Sequence, residues 1–143
     1  MERISVKSTK KQYLVVDQYD NELGVIEIDP TDSNIAKRGE FAKQNILAYI
    51  DEATKIAGTE DKDSAIDKIS EIDEKIKQEI NVLFNYDVSS VVFGATHCLS
   101  TSNGVTFVEN FLEAVTPIIE KEFEKEAQAS SSRVSKYTER YHK

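Results

Sequence analysis

Hydrophobic residues recur along the chain at two spacings, and the change between them divides it into regions. Between residues 2 and 28 they alternate with polar ones. Ile4 and Val6 interleave with Arg3, Ser5 and Lys7, residues 13–16 form a β-branched and aromatic run, and Leu23, Val25, Ile26 and Ile28 form a third. Successive strand side chains point to opposite faces, so this pattern predicts a meander of three short antiparallel strands turned at 8–11 and 18–22. Asp20-Asn21 reads as an ordinary turn pair. Three short strands cannot bury themselves, so one face is expected to lie on helices.

From Asp29-Pro30 onward the spacing becomes helical. Asp32 or Ser33 is placed to cap a helix over 34–57 whose stripe is Ile35, Ala42, Ile46, Tyr49, Ile50, Ala53, Ile56 and Ala57, with Gly58 ending it. Phe41 and Leu47 fall outside that stripe and are candidates for contact with the strands or for self-association. After an acidic linker at 59–63, a second helix is predicted over 64–84. Its stripe, Ile66, Ile69, Ile72, Ile76, Ile80 and Leu83, follows the ordinary helical period without sustained heptads, which favours a bundle over a coiled coil.

The third helical region is the one around which the rest is arranged. Asp87 can cap a short turn over 88–93 that Gly94 closes, a loop occupies 95–103, and Asn103-Gly104 turns the chain into a long helix starting near Val105. Thr106 and Glu109 have the spacing of a reciprocal capping box. Phe107, Val108, Phe111, Leu112, Ala114, Val115, Ile118, Ile119 and Phe123 then fall within one arc covering roughly half of the helical cylinder. That is wider than a single packed neighbour requires. Pro117 falls on the opposite, polar side, where loss of its N–H and its ring are expected to curve the helix around whatever the apolar face holds. The arc is either core for this chain's own helices or, in part, a surface for a partner.

Residues 127–143 contain Ser130-Ser131-Ser132, lack an apolar stripe and end in YTERYHK, a composition that predicts a mobile tail. The expected fold is therefore α+β and mostly α. A β meander at 1–30 and a bundle of three to four helices at 32–126 form a single domain, and a flexible basic tail follows at 127–143.

Charge sharpens this picture. The chain of 143 residues has a net charge of −8, but its last 17 carry Arg133, Lys136, Arg140 and Lys143 against Glu139 alone, leaving 14 basic and 25 acidic residues in the body. An acidic body disfavours nucleic acid as the main partner, because phosphate neutralisation needs clustered Lys and Arg. No run reaches the ~18 apolar residues of a membrane span, and Met1-Glu2-Arg3-Ile4 lacks the pattern of a secretory signal, so a cytoplasmic protein without a membrane partner is expected.

Candidate chemistry is sparse. The only cysteine, Cys98, follows His97, yet a catalytic Cys–His pair is assembled from separate segments, and adjacent side chains point apart. A semi-buried loop thiol is expected instead. Cys98, His97 and His142 are too few for a zinc site, and the carboxylates have the spacing of helix surfaces. No EF-hand, phosphate-cradling glycine loop, G-x-S-x-G or H-E-x-x-H is present. No catalysis, metal or cofactor is expected.

Two segments together resemble a known family. LGVIEIDPTDSNIAKRGEF, with Asp29-Pro30, Asp32, Asn34 and Arg38, and VSSVVFGATHCLSTSNGVTFVENFLEAVTPII, with Phe93-Gly94, Asn103-Gly104, Phe107, Phe111-Leu112 and Pro117, are similar to the tail assembly chaperones of long-tailed bacteriophages, particularly those of Gram-positive hosts. The basic ending RVSKYTERY fits the same group. The resemblance implies a non-catalytic protein of the infected host's cytoplasm, absent from the mature virion. It would coat the tape measure protein, and engage tail tube protein, during assembly. It also implies that this is the shorter of two products related by a ribosomal frameshift.

On that reading Phe107, Val108, Phe111, Leu112, Val115, Ile118 and Ile119 are the candidate partner-binding residues, with Phe107, Phe111 and Ile118 lining a groove for a partner helix. Phe41 and Leu47 remain candidates for a homo-oligomer contact. The alternative, consistent with the same composition, is a cellular acidic helical adaptor with no viral role.

Overall fold

The computed structural model describes residues 1–59 and 61–141, the side chains of the last two excepted. Residue 60 of the expected linker and His142 and Lys143 of the expected tail lie outside the described residues.

The first ordered unit is a hairpin of β1 (Lys11–Val16) and β2 (Glu22–Ile28), paired antiparallel with Tyr13 opposite Ile26. Its turn is built on Asp17, whose carboxylate accepts the backbone N–H groups of Tyr19 at 2.8 Å and Asn21 at 3.0 Å. Asp20 takes a left-handed conformation that a short polar side chain tolerates. The register slips by one residue between Val15 and Val16, so a bulge twists the distal end of the hairpin. Tyr13, Val15, Ile26 and Ile28 face the core, and Leu14, Val16 and Val25 face out.

The third strand expected from Ile4 and Val6 does not form. Residues 1–10 make no strand and are exposed throughout, with Ile4 93% and Val6 81% accessible. The cause lies at the root of the segment. The Thr9 hydroxyl donates to the carboxylate of Asp29, just past the end of β2, which turns the chain away from the open edge of β1.

Two long helices follow, α1 (Ser33–Thr59) and α2 (Lys62–Phe84), lying side by side. Asp32 accepts the Asn34 N–H at the start of α1. Gly58 lies inside the last turn of α1, so the helix ends one residue later. The carboxylate of Asp61 caps α2 through the Ser64 N–H, and Asn85, in left-handed conformation, closes it. Ile46, Ile76 and Ile80 are fully enclosed between these helices and the inner face of the hairpin, whereas Ile66, at the start of its stripe, is exposed. Phe41 and Leu47 are also exposed, so neither packs on the strands.

A short helix, α3 (Ser89–Val92), lies against β2. Asp87 accepts from the Ser90 N–H and from the hydroxyls of Ser89 and Ser90, and Gly94 adopts φ +55° to end the turn. Gly24 in β2 permits the close approach. It has φ +146°, and a Cβ there would stand 2.7 Å from Val91 Cγ1.

The loop after α3 ends in a miniature hairpin of β3 (Thr101–Ser102) and β4 (Val105–Thr106). Its central residues Asn103 and Gly104 are both left-handed, as the tightest two-residue turns require. From it springs α4 (Phe107–Tyr141), opened by the reciprocal bonds of Thr106 and Glu109. The segment from residue 127, expected to be a mobile tail, continues α4 as helix to Tyr141. Extending an existing helix avoids the cost of nucleation, and Ala, Gln, Arg and Lys around the three serines are good helix formers.

Gly24→Ala is expected to lower stability by about 1–3 kcal/mol, because the added methyl overlaps Val91 at a backbone angle that resists it. Gly39→Ala, whose Cβ would make an ordinary 3.5 Å contact with Leu83 inside α1, is expected to raise stability by up to about 1 kcal/mol. Urea unfolding midpoints check both signs.

Candidate partner-binding groove

Polar contacts hold helix α4 to the rest of the fold at its start and again near its middle. The first is a buried carboxylate on α2. Asp73, its side chain 3% exposed, accepts the backbone N–H of Cys98 at 2.7 Å and the Cys98 thiol at 2.9 Å, and it pairs with Lys77 at 3.0 Å. The carbonyl of Cys98 in turn accepts the N–H of Val108 at 3.0 Å, and that of Ser100 accepts the N–H of Phe107 at 2.8 Å. The opening turn of α4 is thereby tied, through one loop residue, to the middle of α2.

Burial alone would push the Asp73 carboxyl upward. The bonds from Cys98 and the charge of Lys77 outweigh it and hold Asp73 below the ordinary carboxylate range. The second tie is Lys11 of β1, which bridges Glu122 and Glu126 on the outer half of α4.

Around the first tie the aromatic residues close the core. Phe93 packs edge-on against Phe107 at 4.9 Å and against Phe111 at 6.0 Å, and Phe111 also meets Phe84 at 5.9 Å. Val108 is fully buried. One turn further along, α4 stands away from α1 and an open groove of about 620 Å³ lies between them. Leu112, Val115, Pro117 and Ile119 line it on the α4 side, Ile35, Ala36 and Gly39 on the α1 side, and Leu83 contributes from α2. Arg38 fixes that corner, donating through Nε to the Leu83 carbonyl at 3.1 Å and pairing with Asp32 at 3.4 Å.

The rim is charged, with Glu40, Glu113 and Glu120 against Lys43. Pro117 borders the groove rather than the far polar side of the helix. Since it has no N–H, the Glu113 carbonyl lacks its helical donor at the same rim.

Of the seven residues singled out on the apolar arc, Leu112, Val115 and Ile119 line the groove. Phe107 and Phe111 are committed to the aromatic cluster, Val108 is enclosed beneath it, and Ile118 is exposed outside the groove lining. The groove therefore lies along one flank of the arc, one to two turns beyond the phenylalanines. The opposite wall is formed by the buried Ile35 with Ala36 and Gly39 of α1, and the apolar stripe of α1 alone does not reveal that α4 stands off from them.

Asp73 also explains His97-Cys98. Burial and the adjacent carboxylate both raise the thiol far above its ordinary range, so Cys98 serves as a hydrogen-bond donor to Asp73. The His97 Nδ1 stands 3.8 Å from the same carboxylate. Among the described residues no cluster of three or more His, Cys, Asp or Glu side chains is placed to hold a metal ion. No helix among them is long and apolar enough to cross a membrane. No protein family, curated protein or solved structure gives a significant match to the chain.

Asp73→Asn keeps an acceptor for the Cys98 N–H but removes the charge that Lys77 and the thiol face, with an expected loss of about 2–4 kcal/mol at pH 7. The native carboxyl binds protons more weakly than the unfolded one. Its contribution is therefore complete above the ordinary aspartate value and fades as pH falls below about 4. Other carboxylates held low, such as Asp87 and Glu122, are common to both proteins and cancel. Denaturant titrations should find the difference between wild type and variant smaller at pH 3 than at pH 7, and an unchanged difference would contradict this role.

Proposed function

We propose that this chain is a non-catalytic helix-binding chaperone of the phage tail assembly type, which holds an apolar stripe of the tape measure protein in the groove between α1 and α4. The observation that carries the reading is the groove itself. Leu112, Val115 and Ile119 are helical residues of one flank, spaced three and four apart, and with Ile35, Ala36 and Gly39 of α1 and Leu83 of α2 they line an open space between the helices. A helix laid there would complete the packing that α4 lacks, which is the helix-in-groove mode of recognition.

The acidic rim favours a partner whose apolar stripe is flanked by Lys or Arg, and the acidic body would keep a coated partner soluble. The groove is also open to solvent, which suits a chaperone that must be displaced when tube subunits assemble. The likeness of two sequence segments to tail assembly chaperones supplies the choice of partner. Tail tube protein is the second partner this reading implies.

Burial of a leucine or isoleucine side chain is worth about 1.5–3 kcal/mol. Leu112→Glu and Ile119→Glu are each expected to weaken binding of tape measure segments tenfold or more. Ala36→Trp, which fills the groove from its exposed α1 wall, is expected to do the same while unfolding behaviour stays near wild type. Calorimetric titration with recombinant tape measure fragments, beside co-purification from prophage-induced cells, measures this. Undiminished binding by all three folded variants would place the partner elsewhere on the surface.

A further inference from the structure

The segment before β1 is the most conspicuous part of the molecule that the groove does not use. Residues 1–10 form no helix or strand and are exposed, and among the described residues no backbone hydrogen bond reaches residues 1–7. Yet residues 2–7 have the alternation of a strand, with Ile4 and Val6 on one side and Arg3, Ser5 and Lys7 on the other, and their length matches the six residues of β1. A strand-patterned segment exposing two β-branched residues to water is a strand without its partner.

The hairpin offers one free edge. On β2 the outward N–H of Glu27 donates to the Tyr86 hydroxyl, so that edge is occupied there, while Val91 of α3 packs on the inner face of the sheet at Gly24. Because the Glu27 N–H points away from β1, Gln12 opposite Glu27 and Leu14 opposite Val25 occupy the non-bonded positions of the ladder. On β1 these residues direct their N–H and C=O groups outward, and no described backbone group meets them. Beside this open edge Leu14, Val16 and Val25 form an exposed apolar patch on the outer face of the sheet.

The segment cannot readily reach that edge in its own chain. Thr9 is bonded to Asp29, and Lys10 lines a cleft with Asp29, Asp32 and Arg38, so the root is held on the β2 side. Charge favours an exchange between copies. The arm carries Arg3, Lys7 and Lys10 against Glu2, whereas the hairpin carries Asp17, Asp20, Glu22, Glu27 and Asp29 against Lys11.

We propose that two copies of this chain exchange their amino-terminal arms, residues 2–7 of each adding as a third strand to the free edge of β1 in the other and setting Ile4 and Val6 beside Leu14 and Val16. The exchange is reciprocal, so it closes as a two-fold dimer.

Sedimentation equilibrium of the full chain tests this, alongside a variant lacking residues 2–7 and the variant Val6→Pro, in which proline removes a ladder donor. The full chain is expected at twice the monomer mass and both variants at the monomer mass, with circular dichroism showing the helices intact. A mixture of separately prepared Val6→Cys and Leu14→Cys proteins is expected to give a disulfide-linked pair containing one of each. A monomeric full chain, or a dimer that survives loss of the arm, would overturn the proposal. So would a disulfide that closes only within single chains of a protein carrying both Val6→Cys and Leu14→Cys.

Discussion

One buried carboxylate sets the geometry on which the rest of this fold depends. Asp73 sits on α2 among isoleucines, where an unpaired charge would be costly, and its position is tolerable because the Cys98 N–H, the Cys98 thiol and Lys77 all turn toward it. The arrangement links elements distant in sequence. The same loop residue that satisfies Asp73 presents its carbonyl to Val108, so the direction in which α4 leaves the core is decided by a group on another helix. Without that link the loop between α3 and β3 would have few apolar contacts to hold it, since residues 94–97 are all exposed.

The groove is a consequence of how α4 is fastened. It is drawn in at its first turn by Asp73 and the aromatic cluster, and it is held farther out by Lys11. Between these points Gly39 and Ala36 on α1 are too small to reach it, and Leu112, Val115 and Ile119 are left facing a gap. The wide apolar arc thus serves two purposes along its length. Its beginning is core for this chain, and its middle both packs on that core, through the buried Val115, and borders the groove through Leu112 and Ile119.

Much of this was legible in the order of residues. The capping box of Thr106 and Glu109, the Asn103-Gly104 turn, the Asp87 cap and the stripes of α1 and α2 all arise from local chemistry, and the structure places them where local chemistry predicts. What was not legible depended on distant groups. Ile4 and Val6 have the pattern of a strand, but Thr9 meets Asp29 some twenty residues away and carries them off the sheet. The carboxyl-terminal segment lacks an apolar stripe and so looked unstructured, yet it continues as helix because α4 has already been nucleated. Phe107 and Phe111 were read as groove and proved to be core, since no local pattern reveals that Phe84 and Phe93 converge on them. Asp73 itself looked like one more surface carboxylate.

The most direct test of the role given to Asp73 is native-state hydrogen exchange at the Cys98 and Val108 amides. If the buried carboxylate fastens the loop and the start of α4 to the core, both amides should be protected to nearly the same degree as those of Ile76 and Ile80 in α2, and Asp73→Ala should release them together while α2 stays protected. Exchange of the Cys98 and Val108 amides at the rate of the exposed loop residues in the wild-type protein would contradict it.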